Sequence, residues 1–194
     1  MSFCSSFKTQ SKIIERNMPK ILGNNQFRGK TIIALDGGYS AVKGISGNKT
    51  FIFPSYAKKV KNLQFVGELK PNDIFFRDNT TGVEWAIGSL AERLMDSTDL
   101  SQTTDSSLFT RYRYNSEVYK AIMGAGIAIG LLGTAGGNDI YLSTGLPSSY
   151  KDEDEAELKK ALSGKYDVSI KIGNEEYRSF RFNLDDDHIS VIEQ

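Results

Sequence analysis

Asp36-Gly37-Gly38-Tyr39-Ser40-Ala41-Val42-Lys43 decides the reading of this chain; it directly follows the apolar run Thr31-Ile32-Ile33-Ala34-Leu35 and leads into more strand-like sequence. An apolar run rich in β-branched residues makes a buried strand. An acidic residue closes it, and paired glycines allow a tight reversal in which backbone N–H groups face an anion. Lys43 returns on the second strand. The chemistry divides accordingly: Asp36 near a hydrated divalent cation, the amides of Gly37, Gly38, Tyr39 and Ser40 around phosphate oxygens, and Lys43 as a point charge on the terminal phosphates. A nucleoside triphosphate with magnesium suits such a hairpin. A plainer reading also stands, because an Asp-Gly-Gly turn between strands is ordinary hairpin chemistry and Lys43 is then a solvated strand residue.

Composition narrows the classes. A chain of 194 residues is long enough for a substantial core, and a single two-lobed domain is expected. Hydrophobic residues make up 39% and charged ones 25%, the balance of a soluble globular protein and not of a disordered or membrane one. Net charge is zero, which argues against a nucleic-acid-binding surface and favours self-association. Cys4 is the single cysteine, so one chain builds no disulfide framework or thiolate metal site, and a reducing cytoplasm fits. Residues 1–29 carry no apolar run like that of a signal peptide and read as an N-terminal extension. The apolar stretch Ala121 to Gly133 is broken by glycines and too short to span a membrane, which leaves a buried helix.

Thr31–Asp36, Ala41–Gly47 and Thr50–Pro54 read as three strands of an antiparallel meander. Asp73–Arg77 and Val83–Ile87 alternate apolar and polar residues across a turn at Asn79-Thr80-Thr81-Gly82, so a second hairpin is expected. Ser89–Met95 reads as a short helix capped by Ser89. Asp96–Arg113, rich in Ser, Thr and Asp, reads as an exposed loop or an insertion between lobes. Asn115 or Ser116 opens a long helix through Leu132 that Gly133 stops, with Val118, Ile122, Ile127 and Leu131 on its buried face. Asp139–Thr144 reads as a strand broken by Gly145-Leu146-Pro147, and Asp152–Leu162 as a charged amphipathic helix. Tyr166–Ile172 and Glu176–Phe182 form a hairpin around Gly173-Asn174, and Ile189–Ile192 is a last strand. Helices and hairpins alternate in an α/β manner.

Several of these stations, in this order, resemble the N-terminal half of the actin-like ATPases of the ParM/StbA and Alp type, which segregate plasmids in bacteria. Asp36 to Lys43 is similar to that family's first phosphate loop, with Tyr39 as in the Alp branch. Phe53-Pro54-Ser55, Trp85-Ala86-Ile87-Gly88 before Leu90-Ala91, Tyr114-Asn115-Ser116-Glu117 and Tyr141-Leu142-Ser143-Thr144-Gly145-Leu146-Pro147 extend the likeness over residues 30–194. The resemblance implies an actin-like, ribonuclease H-like domain I: a mixed sheet flanked by helices, with a smaller inserted lobe at approximately residues 56–112. It implies ATP and magnesium as cofactors, Asp36 holding the metal through water, Lys43 on the β- and γ-phosphates, and Ser40 in the loop. Gln194, with Glu193 in reserve, resembles the residue that orients the hydrolytic water, a positioning role that needs no strong base.

The same family places a second phosphate loop, adenine contacts and a second domain after the segment matched here. The expectation is therefore weak ATP binding and negligible hydrolysis by this chain alone. Expected partners are itself or full-length actin-like protomers, with a DNA-binding adaptor, and neither nucleic acid nor membrane directly. A non-catalytic actin-like module that assembles with, caps or regulates filaments is the competing function. Sugar kinases and heat-shock chaperones share the Asp-x-Gly hairpin but fit Tyr39 and Gly145-Leu146-Pro147 less well. Asp185-Asp186-Asp187-His188 reads as a solvated acidic turn and not a metal cluster, since consecutive residues point apart. Lys58, Lys59 and Lys61 read as a solvated loop, and Lys151–Lys160 as a charged helix surface with i,i+4 pairing.

Overall fold

A computed structural model gives the structure of the protein over residues 9–15, 30–47, 49–60, 68–95, 113–134 and 139–194. In chain order the elements are β1 (Lys12–Glu15), β2 (Lys30–Gly37), β3 (Ala41–Ser46), β4 (Lys49–Pro54), β5 (Ala57–Lys59), β6 (Ile74–Asp78), β7 (Glu84–Ile87), α1 (Ser89–Leu94), α2 (Glu117–Leu131), β8 (Asp139–Leu146), α3 (Lys151–Leu162), β9 (Gly164–Ile172), β10 (Arg178–Leu184) and β11 (Ile189–Glu193). The expected α/β class holds, as a mixed sheet with flanking helices.

The first sheet has six strands in the order β1-β4-β3-β2-β8-β11. Its β2-β3-β4 part is the meander legible in the sequence, antiparallel throughout. On the other side of β2, β8 and then β11 run parallel to it. Alternation sorts the side chains: Ile33, Leu35, Val42, Phe51, Phe53, Leu142 and Val191 are buried, while Ile32, Ile45 and Ile192 lie on the opposite, open face.

Helix α2 packs on the buried face. Every residue from Ala121 to Leu131 is buried, and glycines set how closely it can sit. A Cβ at Gly126 would lie 3.1 Å from Leu35 and one at Gly130 would lie 2.9 Å from Ile33, both on β2. At Gly124 the same atom would lie 2.8 Å from the Phe76 ring of the second sheet, so one helix seats against both sheets. Ser116 caps it, its hydroxyl accepting from Tyr119 N at 3.1 Å. At the far end the buried Lys49 donates to the Ile129 carbonyl at 3.1 Å, placing a cation where the helix dipole is negative.

The second sheet has five antiparallel strands in the order β10-β9-β6-β7-β5. The hairpins expected around 79–82 and 173–174 both form, and β6 joins them through its pairing with β9. Strands from 57–87, inside the segment expected as an inserted lobe, are thus completed by strands from 164–184. Ile74, Phe76, Trp85, Ile87, Val168 and Ile170 belong to the same buried cluster as the first sheet's core.

Three local expectations are corrected. Residues 12–15, read as part of an extension, form an edge strand on β4. Ser89 does not cap α1; Gly88 precedes the helix at φ 66°, and a Cβ there would lie 2.7 Å from Ser11 Oγ. The Ser89 hydroxyl instead accepts from Ser11 N at 2.8 Å, tying the N-terminal segment to the start of α1. Strand β8 continues through Gly145 and Leu146, because β11 pairs with both. Cys4, Lys61 and the stretch 96–112 lie outside the described residues.

Candidate functional site

The side chains on the open face of the first sheet come into register across the strands. Lys12 pairs with Ile52, Ile52 with Lys43, and Lys43 with Asp36, so these four make one cross-strand row. Beside that row is a groove of about 480 Å³, lined by Asp36, Lys43, Phe51, Ser143, Thr144 and Gln194 among others. It lies over the carboxyl ends of β2, β8 and β11, where open α/β sheets characteristically bind ligands.

Asp36 and Lys43 meet directly, Nζ to Oδ2 at 3.5 Å, with the lysine side chain 64% and the aspartate 37% exposed. Such a pair is worth little and is easily exchanged for another anion. Gln194 reaches the groove because Gly145 lacks a side chain: a Cβ there would lie within 2.4 Å of the amide. Its backbone N–H donates to the Leu146 carbonyl at 2.9 Å, which extends the parallel pairing by one residue. Glu193 does not line the groove; alternation places it on the same side of β11 as Val191.

Between β2 and β3 the turn is held from behind. Ser55 Oγ donates to the Gly38 carbonyl at 2.7 Å and Ser55 N to the Ser40 carbonyl at 3.1 Å. Arg113 donates from Nη2 to the Gly37 carbonyl at 2.6 Å, and its guanidinium stacks 4.1 Å from the Tyr39 ring centroid. Beneath them Tyr119 is buried; burial pushes its phenol up, against the pull of the Arg113 charge. A Cβ on Gly37 would lie 3.0 Å from Met123 Sδ and 3.4 Å from the Tyr119 oxygen, so α2 supports the turn at van der Waals distance.

Three contributors lie beyond the sequence reading. In the sequence Lys12 belongs to the expected extension, Arg113 ends the expected exposed loop, and Ser55 closes the third strand with no role of its own. Only the Ser55 signal, a serine closing a strand directly after Pro54, was available locally; the others depend on tertiary pairing. The remaining candidates read as surface. Asp185–Asp187 are exposed in a short 3-10 turn, and His188 stacks on Tyr141 at 4.2 Å. Lys58 and Lys59, expected in a solvated loop, lie instead on β5 because that segment pairs with β7; Lys58 donates to the Leu94 carbonyl and Lys59 pairs with Glu117, while Lys159 pairs with Glu155 one helical turn away. Among the described residues no group of three or more His, Cys, Asp or Glu could hold a metal ion, and no helix is long and apolar enough to cross a membrane.

A glycine-turn hairpin at the head of a mixed sheet, with a glutamine directly after its last parallel strand, is the arrangement of an actin-like domain. Residues 34–194 match the family model described as the N-terminal domain of actin-like proteins, and the chain belongs to that family. No curated protein matches it. Among solved structures it is similar to a 15-stranded ParM filament from Clostridium botulinum, at 26% identity and TM-score 0.65, covering 85% of this chain and 48% of that one. It is also similar to a non-polymerisable quadruple mutant of pCBH ParM, at 25% identity and TM-score 0.59, covering 85% and 47%. Apo psk41 ParM shares the fold at 20% identity and TM-score 0.63, covering 86% and 50%. The chain spans about half the length of the solved structures it matches.

Proposed function

We propose that this chain is the phosphate-binding half of an actin-like, filament-forming ATPase used in plasmid or DNA segregation, and that alone it binds Mg·ATP weakly and turns it over negligibly. The observation that carries the reading is the convergence of Asp36 on β2, Lys43 on β3 and Gln194 directly after β11 on one groove over the carboxyl ends of the parallel strands. Similarity to filament-forming ParM proteins supports the assembly part.

The donor set fits the cofactor. Magnesium keeps several waters and is bound by one or two carboxylates together with substrate phosphates, and a single exposed Asp36 beside a phosphate loop offers that much and no more. When bound, Mg·ATP supplies the γ-phosphoryl group and its own charge compensation. The amides of Gly37, Gly38, Tyr39 and Ser40 would then hold phosphate oxygens, and Lys43 would leave Asp36 to meet the terminal phosphates. Gln194 would orient a water by hydrogen bonding, which needs position and not basicity. Among the described residues the groove is open to solvent on one side, so water is not excluded from it, which is why turnover is expected to be negligible.

Calorimetric titration of the chain with Mg·ATP, beside Asp36→Ala and Lys43→Ala, tests the reading. Weak binding lost in both variants supports it; equal heats in all three proteins reject it. A second reading, a non-catalytic module that docks on itself or on full-length protomers, is favoured by one observation: Ile32, Ile45 and Ile192 are 43%, 47% and 52% exposed on the same open face. A DNA-binding adaptor would belong to the assembled filament and not to this groove.

A further inference from the structure

We propose that Arg113 is the positioning residue of the phosphate loop, holding the Gly37–Ser40 turn in its anion-binding conformation from a site outside the loop itself. The inference rests on the phosphate-site reading above and adds a residue that neither the motif nor its spacing contains.

The geometry is that of a clamp. Arg113 stands at the start of the short 3-10 turn Arg113–Asn115 that leads into α2, and the Ser116 cap hydroxyl donates to its carbonyl at 2.8 Å. Its backbone is therefore fixed to the helix, and its side chain to the loop. Nη2 donates to the Gly37 carbonyl at 2.6 Å, and the guanidinium lies 4.1 Å from the Tyr39 ring centroid and 5.3 Å from that of Tyr119. An arginine combines a charged donor with a planar group that stacks on an aromatic face.

Fixing that carbonyl has a directional consequence. A trans peptide is planar with its C=O and N–H antiparallel, so a carbonyl of Gly37 held towards Arg113 turns the Gly38 N–H the opposite way. Ser55 does the same for the next units: its hydroxyl on the Gly38 carbonyl turns the Tyr39 N–H, and its amide on the Ser40 carbonyl turns the Ala41 N–H. Arg113 differs in carrying charge, and a charged donor on a carbonyl also polarises the N–H of the same peptide. Nε of Arg113 is buried without a hydrogen-bond partner among the described residues, a cost that a side chain kept only for surface solubility would not bear. The clamp joins loop to helix, so the conformation of the loop and the start of α2 are mechanically one unit.

The test is Mg·ATP titration of the full chain with Arg113→Gln, Arg113→Lys and Tyr39→Leu, together with backbone amide spectra of the ligand-free proteins. Arg113→Gln is expected to weaken binding about ten-fold or more, the scale of one charge-assisted contact. Arg113→Lys should fail to restore it, since an ammonium has no planar group to stack between Tyr39 and Tyr119. The amide signals of Gly37 to Ser40 should move in the ligand-free variant while those of β9 and β10 stay in place, which a general loss of stability would not produce. Unchanged affinity in Arg113→Gln, with wild-type binding intact, overturns the role assigned to Arg113 and leaves the phosphate site standing. Absence of binding by the wild-type chain instead rejects the phosphate-site reading, and the role with it.

Discussion

The two sheets turn unlike faces to the outside. The outer face of the second sheet is covered at Phe75 and Ala86, which are buried with Leu90 and Ala91 of α1, and beside that cover it presents Arg77, Ser179 and Arg181 around the buried Ser169, paired among themselves and with neighbours: Arg77 with Glu84 at 3.1 Å, Arg181 with Asp167 at 2.6 Å, and the two serine hydroxyls at 2.9 Å. The first sheet presents Ile32, Ile45 and Ile192, with Lys43 and Asp36 paired at one end of the face and Lys30 and Asp139 at the other. Antiparallel sheets commonly leave one face to water, whereas parallel strands are almost always covered on both. The difference follows the topology, because the first sheet contains the parallel β2-β8-β11 segment and the second contains none. A polar surface paired within itself and partly covered by α1, and an open apolar one, thus sit side by side on one core.

The largest effect should come from that shared core. Phe53 is fully buried on β4, stacked with Phe51 at 6.3 Å, and Phe53→Ala is expected to cost about 3 to 5 kcal/mol in urea unfolding. Trp85 sits in the other sheet and reports on it. If both sheets fold as one unit through α2, its fluorescence and the far-ultraviolet dichroism will shift together; separate transitions would break the comparison into two independent lobes. Next comes Asp73, whose buried carboxylate takes two hydrogen bonds from Arg93, at 2.8 and 2.6 Å. Arg93→Met strands that charge at a cost of about 2 to 4 kcal/mol, below the usual buried-pair figure because the arginine end is 30% exposed. Lys49→Met should cost about 1 to 2 kcal/mol by removing the cation at the α2 terminus, read as a fall of a few degrees in Tm.

Much of this was legible locally. The meander, both hairpins, the Ser116-capped helix and its Gly133 stop each rest on residues close in sequence, and each forms. What stayed hidden depends on partners far along the chain. The four residues of β1 carry too short a pattern to announce a strand without β4 beside them. Gly145 and Leu146 look like a break until β11 pairs with them. Gly88 displaced Ser89 as the residue before α1 because the backbone must turn at positive φ under Phe53 and Ser11, contacts 35 and 77 residues away. In the site, Asp36 and Lys43 are neighbours by hairpin register and so readable, whereas Arg113 reaches Gly37 across 76 residues.

The smallest change in folding energy is the sharpest probe of the contrast between faces. Ile45 is half exposed on the open face, and Ile45→Lys removes little contact area, so the stability of the isolated chain should move by no more than about 0.5 kcal/mol. If the face is one that another surface covers, the same substitution should reduce concentration-dependent light scattering, because a lysine there must be desolvated on contact. The matched control is Arg181→Lys on the second sheet, 84% exposed at its side chain, which keeps the charge and should change neither quantity. Equal scattering from Ile45→Lys and wild type would mean that the exposed isoleucines are tolerated and not used. A fall in stability well beyond 0.5 kcal/mol would mean that Ile45 contributes more to folding than its half-exposed side chain accounts for.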